Sequence, residues 1–346
     1  MSDESSPRGI DTARVSEWVE AHVTGARAPF VFRLIAAGGS NLTYLLEDAQ
    51  GVRRILRRPP SSAALATAHD MHREWRIMSA LGAHQTAVPV PRMMAFCDDL
   101  SVTGERFYVM EFVEGLILRD RAGAAHMDAD ACERAMRSLV ATQAALHTLD
   151  PAAIGLGDLG RHGGYVARQL ARWRRQVESS ATRDLPLLGQ IHERLAANIP
   201  VETCRPALAH GDYRFDNTVL GADFRVRAVL DWELCTIGDP VADFFWSLMY
   251  WAEPEDGISF LADSPTRAPR FPRRDAVIAC YVEQTGFDLG NREFHMAFGW
   301  WKQACIVEGV YARLMKGAAG GMKTAPPEQV AAIVERYLDC AAAALA

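Results

Sequence analysis

Hydrophobic positions along the chain recur with two different periods, and the change between them divides the molecule. From Asp11 to His22, Val15, Trp18, Val19 and His22 fall at helical spacing behind possible caps at Asp11 and Thr12. From about Phe30 to Leu56 the text turns into short β-type runs, FVFRLIA, LTYLLED and VRRIL. Gly38-Gly39-Ser40-Asn41 and Asp48-Ala49-Gln50-Gly51 separate them with turn chemistry, so a small antiparallel sheet is expected. Pro59-Pro60 ends that sheet, and 67–81 reads as a helix with Met71, Trp75, Met78 and Leu81 on one face. Pro89 and Pro91 flank an extended stretch, and Arg106 to Val113 carries another strand signal. After Gly115 the periodicity is mainly helical: 129–149, 164–178, 185–197, 275–286, 293–314 and 327–346, with one β-rich island at 207–231. Gly317 to Gly321 reads as a flexible loop, and no internal repeat is visible.

The pattern predicts an α+β, bilobal architecture. A small antiparallel β-rich N-terminal lobe, 1–112, carries one important helix; a larger helical C-terminal lobe, 113–346, holds a small β insertion. The switch falls near 112–115, and ligands tend to sit in the crevice between such units.

Composition narrows the functional classes. Of 346 residues 49% are hydrophobic and 23% charged, ordinary for a folded chain, and 37 basic against 43 acidic side chains leave a net charge of −6. That charge argues against a dedicated nucleic-acid binder. The longest apolar candidate, Phe244 to Ala252, is far short of the roughly 18 residues a membrane span needs. The opening MSDESSPRG lacks the apolar core of a secretory signal, so a cytoplasmic protein is expected. Seven scattered cysteines (97, 132, 204, 235, 280, 305, 340), never spaced as C-x-x-C, read as reduced and mostly buried thiols.

The chemistry concentrates at Leu208-Ala209-His210-Gly211-Asp212-Tyr213-Arg214-Phe215-Asp216-Asn217. Thr218 to Leu220, a Gly221 turn and the strand Val226 to Leu230 follow, and Asp231-Trp232-Glu233 comes next. A hairpin brings its ends together, so Asp212, Asn217 and Asp231 are expected to converge. Carboxylate and amide oxygens suit a hard cation such as Mg2+, and one spare carboxylate can act as a base.

The pattern H-G-D-x-x-x-x-N, followed by an Asp after the next strand, resembles the aminoglycoside phosphotransferase family, the small-molecule branch of the protein-kinase-like fold. The resemblance covers about residues 30–315 and implies ATP and Mg2+ as cofactors. It implies that Asp212 accepts or orients the substrate hydroxyl proton and that Asn217 and Asp231 hold Mg2+. His210 would fix the loop, Arg214 would stabilise transition-state charge, and Glu233 lies near the metal in sequence. Upstream, Arg57 stands where kinases place the phosphate-binding lysine of V-A-I-K, with Glu74 on the following helix as its partner; Arg58 is an alternative to Arg57. Gly38, Gly39, Ser40 and Asn41 resemble the phosphate-covering loop without the full G-x-G-x-x-G, and backbone groups of Glu111 and Val113 occupy the adenine-binding hinge position. Gly238-Asp239-Pro240-Val241-Ala242-Asp243 matches the family's G-D-P-x-x-D, with Asp239 expected to tie the catalytic loop to the next helix and Asp243 to serve a similar structural role. The short separation of Asp231 from Asp239 leaves no room for a protein-kinase activation segment, so peptide acceptors are not expected.

The acceptor is read from charge and aromaticity. The acidic cluster Glu253, Glu255 and Asp256 would suit an aminoglycoside polycation or could be a solvated loop. Against it stand Arg168, Arg172, Arg174 and Arg175, then Arg267, Arg270, Arg273 and Arg274, in a region rich in Trp, Phe and Tyr. The stretches NLTYLL, LRRPP, HGDYRFDN and LDWELCTIGDP resemble the subgroup related to the kinase domain attached to some acyl-CoA dehydrogenases. That subgroup implies a 4-hydroxyacyl-CoA or similar anionic small-molecule alcohol. An aminoglycoside or sugar kinase, and a nucleotide-binding pseudokinase without turnover, remain as alternatives; the oligomeric state is open.

Overall fold

The structure is a computed structural model describing residues 9–37, 41–60, 70–180, 182–257, 263–317 and 325–346. The glycine-rich Gly38-Gly39-Ser40 and most of the Gly317–Gly321 stretch lie outside the described residues. Residues 1–117, 154–156 and 217–234 form one compact unit, and the remainder forms a second.

The first unit is built on a five-stranded antiparallel sheet of order β1-β2-β3-β5-β4: β1 (Val31–Ala37), β2 (Leu42–Glu47), β3 (Arg53–Arg58), β4 (Met93–Cys97) and β5 (Phe107–Glu111). Alternation in β2 sends Leu42, Tyr44 and Leu46 inward. They pack with Leu56 and Val109, and with Val15 and Val19 of helix α1 (Thr12–His22), which Asp11 caps by accepting from the Ala13 and Arg14 N–H groups. Strand β3 is buried from Arg54 to Arg58 on both faces, so three arginines enter the interior. Helix α2 (Met71–Ala83) starts at an Asp70 cap and buries Met71, Glu74, Ile77, Met78 and Leu81. Trp75, expected on that face, is instead half-buried beside Phe96 of β4, while Glu74 takes the interior position. A carboxylate is tolerated there because Tyr108 and Asn41 donate to it and Arg57 pairs with it.

The β-rich island resolves into two pairs. Strands β7 (Thr218–Leu220) and β8 (Val226–Val229) form an antiparallel hairpin in the first unit. Leu116 and Leu220 exchange both backbone hydrogen bonds at 2.8 Å, and the Val229 N–H donates to Pro89 O. Strands β6 (Ala207–Ala209) and β9 (Thr236–Gly238) pair within the second unit.

The second unit is otherwise helical. Short α3 (Leu100–Thr103) belongs to the first unit; α4 (Arg121–Ala124), α5 (Ala129–Thr148), α6 (Tyr165–Ser180), α7 (Pro186–Ala197), α8 (Pro240–Leu248), α9 (Arg274–Thr285), α10 (Arg292–Met315) and α11 (Pro327–Ala344) follow. Six of these match helical periods in the sequence to within two residues. Helix α8 shows no such period because it is buried all round: Pro240 to Trp246 and Leu248 are all interior. Helices α6, α7, α10 and α11 share a core containing Leu170, Ile191, Phe298, Trp301, Val334 and Tyr337. The seven cysteines are free thiols, five of them buried. Among the described residues no helix is long and apolar enough to cross a membrane.

Gly115 is where the hairpin comes closest to the chain leaving β5. A Cβ there would lie 2.3 Å from Leu220 O and 2.6 Å from Val219 Cγ1, and the backbone atom cannot yield. Gly115→Ala is therefore expected to destabilise the protein by about 1–3 kcal/mol through overpacking. Urea unfolding checks this; an unchanged midpoint would show that the close approach is not maintained in solution.

Candidate active site

Strand β3 delivers Arg57 to the interior opposite Tyr108 of β5, its register partner. The Arg57 guanidinium contacts Glu74 of α2 at 3.6 Å and donates to Asp231 Oδ1 at 2.5 Å. Glu74 also receives the Tyr108 hydroxyl at 3.0 Å and the Asn41 amide at 3.3 Å, and the same Asn41 amide reaches Glu233 at 3.3 Å. Burial alone would lower the Arg57 pKa, but Tyr108, Glu74 and Asp231 reverse this and keep it protonated. Burial pushes the Glu74 carboxyl up, and Arg57 pulls it back. Arg58, one residue on, projects to the opposite face beside Tyr44 and Gly9. Of the two arginines considered, Arg57 is the one gathered with Glu74 and Asp231.

The β7–β8 register sets Thr218 against Val229, and the Leu230 N–H donates to Asn217 O at 2.8 Å. Asn217 and the following Asp231 thus flank the open end of one hairpin. Asp231 adopts φ +64°, the left-handed region that non-glycine residues rarely enter. Of the hinge pair, Glu111 uses its backbone N–H on Arg92 O at 2.9 Å and its carboxylate on the Arg92 N–H at 3.2 Å. Val113 lies just beyond β5, half-buried.

In the second unit the loop after β6 carries His210 to Asp216. Its anchor is Asp243, fully buried on the first turn of α8. One Asp243 oxygen accepts the His210 N–H at 3.0 Å and the other the Gly211 N–H at 2.9 Å. His147 Nε2 of α5 lies 3.1 Å from Asp243, and its Nδ1 2.6 Å from the Tyr281 hydroxyl of α9. Burial raises the Asp243 pKa, but His147, His210 and the Gly211 N–H outweigh it and hold the carboxyl below its usual range. Asp239, expected to make this tie, instead caps α8 by accepting from Val241 and Ala242. The loop contact belongs to the carboxylate four residues later.

The loop is braced further at three points. The Trp246 indole N–H donates to Gly211 O at 2.8 Å, the Tyr213 hydroxyl to Leu139 O at 2.8 Å, and the Asp212 N–H to His210 Nδ1 at 3.3 Å. Asp212 keeps 21% side-chain exposure, enough for a small acceptor to reach it. Arg214 lies 3.2 Å from Asp212 and 3.0 Å from Asp216, and its guanidinium covers the Tyr250 ring at 5.0 Å. Tyr250 hydrogen-bonds Asp212, and burial beside that carboxylate pushes its phenol well above the ordinary value. Asp216 is also raised, chiefly by burial, against the pull of Arg214.

Asp212 and Arg214 lie on this loop, and Asn217 and Asp231 at the hairpin of the first unit; the local spacing did not point to His147 and Tyr281. Each lies far away in sequence and looks like an ordinary core aromatic or histidine. The charge clusters also read differently in three dimensions. Arg273 contacts Glu253 and Glu255, and Arg274 contacts Glu253 and Asp256, so these acids and bases largely neutralise one another. Arg270 donates to the backbone of Ala125 and Met127, and Arg267 to Asp256 O. Beside Arg214, Asp216 and Tyr250 lies an apolar void of about 30 Å3, lined also by Leu139, Phe244 and Val277.

The anchor yields a stability prediction. Because its folded-state pKa is depressed, ionised Asp243 contributes stability that is present above about 3.8, its ordinary value, and is lost as pH falls through the lower folded value. Asp243→Asn is expected to cost about 1–3 kcal/mol at neutral pH and to flatten the acid limb of stability against pH. Urea titrations of both proteins across the acid range test this; equal stabilities at neutral pH would remove Asp243 as the anchor.

The family model APH, described as the phosphotransferase enzyme family, matches residues 31–273. Acyl-CoA dehydrogenase family member 11 of Gallus gallus is 35% identical over 297 residues, which is 83% of this chain but 37% of the relative. The chain thus spans less than two-fifths of the length of that relative. The crystal structure of a candidate aminoglycoside phosphotransferase from Ralstonia eutropha superposes with a TM-score of 0.78 at 32% identity, covering 96% of this chain and 99% of that one. A streptomycin–ATP ternary complex of an aminoglycoside phosphotransferase superposes at 0.60 with 12% identity, covering 93% and 98%, a likeness of fold alone. With its α+β protein-kinase-like fold, the chain belongs to the APH phosphotransferase enzyme family.

Proposed function

We propose that the protein is an ATP- and Mg2+-dependent kinase that phosphorylates a hydroxyl of a small molecule, with an acyl thioester such as a 4-hydroxyacyl-CoA as the favoured acceptor class. The observation that carries the reading is Asp212: a reachable carboxylate on a loop whose backbone is fixed by Asp243, flanked by the Arg214 guanidinium and the Tyr250 hydroxyl. Asp212 accepts or orients the proton of the attacking hydroxyl, Arg214 offsets charge on the transferred group, and His210 positions the loop. Phosphoryl transfer demands mainly this kind of positioning and charge placement.

Arg57, held protonated in the first unit, would meet nucleotide phosphates, with Glu74 and Tyr108 fixing its orientation and Asn41 bracing Glu74. Gly39 and Ser40 would cover the phosphates, and Glu111 and Val113 would offer backbone groups to adenine. Asn217 and Asp231 would hold Mg2+. Their donor set fits: both are oxygen ligands at one hairpin end, and no group of three or more His, Cys, Asp or Glu side chains among the described residues forms a protein cage. Mg2+ characteristically takes one or two protein oxygens and completes its shell with phosphate and water. When bound it supplies charge neutralisation at the phosphates. The ATP in one structural relative is in keeping with this nucleotide.

The acceptor class rests on the acyl-CoA dehydrogenase relatives and on the aromatic wall formed by Trp246, Tyr250 and Trp300. An aminoglycoside is disfavoured because Glu253, Glu255 and Asp256 are already paired with Arg273 and Arg274.

With a working hydroxyacyl acceptor, Asp212→Ala is expected to lower kcat by about 100- to 10,000-fold while leaving the Mg-ATP thermal shift intact. Asp231→Asn is expected to abolish the Mg2+-dependent part of that shift. ATP consumption and mass-spectrometric detection of the phosphorylated product provide the readout. Full turnover by the Asp212 variant would overturn the assignment, and nucleotide binding without product from any alcohol would favour a pseudokinase.

A further inference from the structure

Lys302 is the one lysine in the interior of α10, and its exposure is 7%. Among the described residues no acceptor takes a hydrogen bond from its ammonium and no carboxylate forms an ion pair with it. Its Nζ lies over the indole face of Trp246, 3.6 Å from the ring centroid. A cation–π contact offsets part of the cost of burying an ammonium but satisfies none of its three donors. An ammonium in so buried a position is stabilised when an oxygen from outside reaches it.

Its position indicates which oxygen. The Trp246 indole beneath the ammonium donates to Gly211 O, the residue before Asp212, and Tyr250, just past the C-terminus of α8 and edge-on against Trp246, hydrogen-bonds the Asp212 carboxylate. The charged groups facing Lys302 are Asp243 of α8, Arg172 of α6 and Asp212 of the loop. Burial lowers its pKa to about 8, with Arg172 adding to that effect and the two carboxylates opposing it, so most of it carries a proton at neutral pH.

We infer that Lys302, seated on Trp246 beside the Asp212 loop, is the residue that recognises the acceptor, donating to an acyl oxygen that lies a few bonds from the hydroxyl to be phosphorylated. The inference rests on the kinase reading for its biological meaning, but the binding it describes can be measured without turnover. The shared chemistry is a carboxyl-derived oxygen, supplied either by a free hydroxy acid or by a hydroxyacyl thioester. It makes Lys302 a specificity-determining residue distinct from the base and from the nucleotide contacts.

The test is binding of three probes to the ADP-loaded protein: a 4-hydroxy carboxylate, the matching N-acetylcysteamine thioester and the matching diol, which lacks the acyl oxygen. At neutral pH the native chain is expected to bind one of the acyl probes roughly 10- to 100-fold more tightly than the diol, as a charge-assisted hydrogen bond allows. Which acyl probe wins identifies the source of the oxygen. Lys302→Met is expected to erase that preference while leaving ADP affinity unchanged, Lys302→Arg to restore part of it, and the native preference to fade as pH rises through about 8. Methionine matches the stem and removes a buried charge, so folding is expected to survive. Equal affinity for acyl and diol probes in the native chain, or a preference that persists in Lys302→Met, overturns the inference. Neither outcome bears on the kinase reading, which stands or falls on Asp212 and ATP turnover.

Discussion

A carboxylate with no access to water must spend all its acceptor capacity on the protein around it, and Asp243 spends it on the loop that carries Asp212. Two consecutive backbone N–H groups, at His210 and Gly211, end on its two oxygens. His147 and Tyr281 extend the network to two further helices. Because a buried, partly satisfied network costs more than an apolar core, the arrangement is all-or-none. The loop therefore has one conformation, and the geometry of Asp212 inherits that uniqueness. The aromatic supports, Trp246 beneath Gly211 and Tyr213 against Leu139, act on a backbone already fixed in direction.

The first unit solves a different electrostatic problem. Three arginines on a strand buried on both sides would unfold the sheet if left unmatched. Asp48 takes Arg54 at 2.7 Å, and Glu74 with Asp231 takes Arg57, so these two charges are matched within their own neighbourhoods, while burial lowers the Arg58 pKa against the opposing pull of Tyr44 and Glu105. Two of Glu74's partners, the ion-paired Arg57 and the donor Tyr108, are register partners on adjacent strands, so the β3–β5 pairing itself determines where the charged pair forms. Sheet register and site electrostatics are one constraint here.

These couplings explain what could be read from the chain alone. Asp212, Asn217 and Asp231 were legible because a loop and one hairpin place them within 20 positions of each other, and local spacing is what a sequence displays directly. The long helices were legible because each buries one face. Helix α8 was not, since burial on every side removes the period, and Trp246 and Tyr250 showed only as members of an aromatic-rich region without a defined position. His147 and Tyr281 reach Asp243 across many residues of intervening chain, and no local pattern distinguishes them from packing residues. Asp239 and Asp243 were both visible, but which of them faces the loop depends on where α8 begins. The arginine and glutamate clusters near 253–274 were read as competing ligand signals, whereas the fold brings them against each other and leaves little net field.

The left-handed backbone at Asp231 carries a separate consequence for how substitutions there are to be interpreted. Aspartate and asparagine tolerate that conformation better than residues with an ordinary aliphatic Cβ. An alanine or glutamate at 231 would impose a backbone penalty in addition to changing the ligand. Aspartate and asparagine combine tolerance of this backbone with a short oxygen-bearing side chain, so conformation and oxygen chemistry favour the same small set of residues at 231.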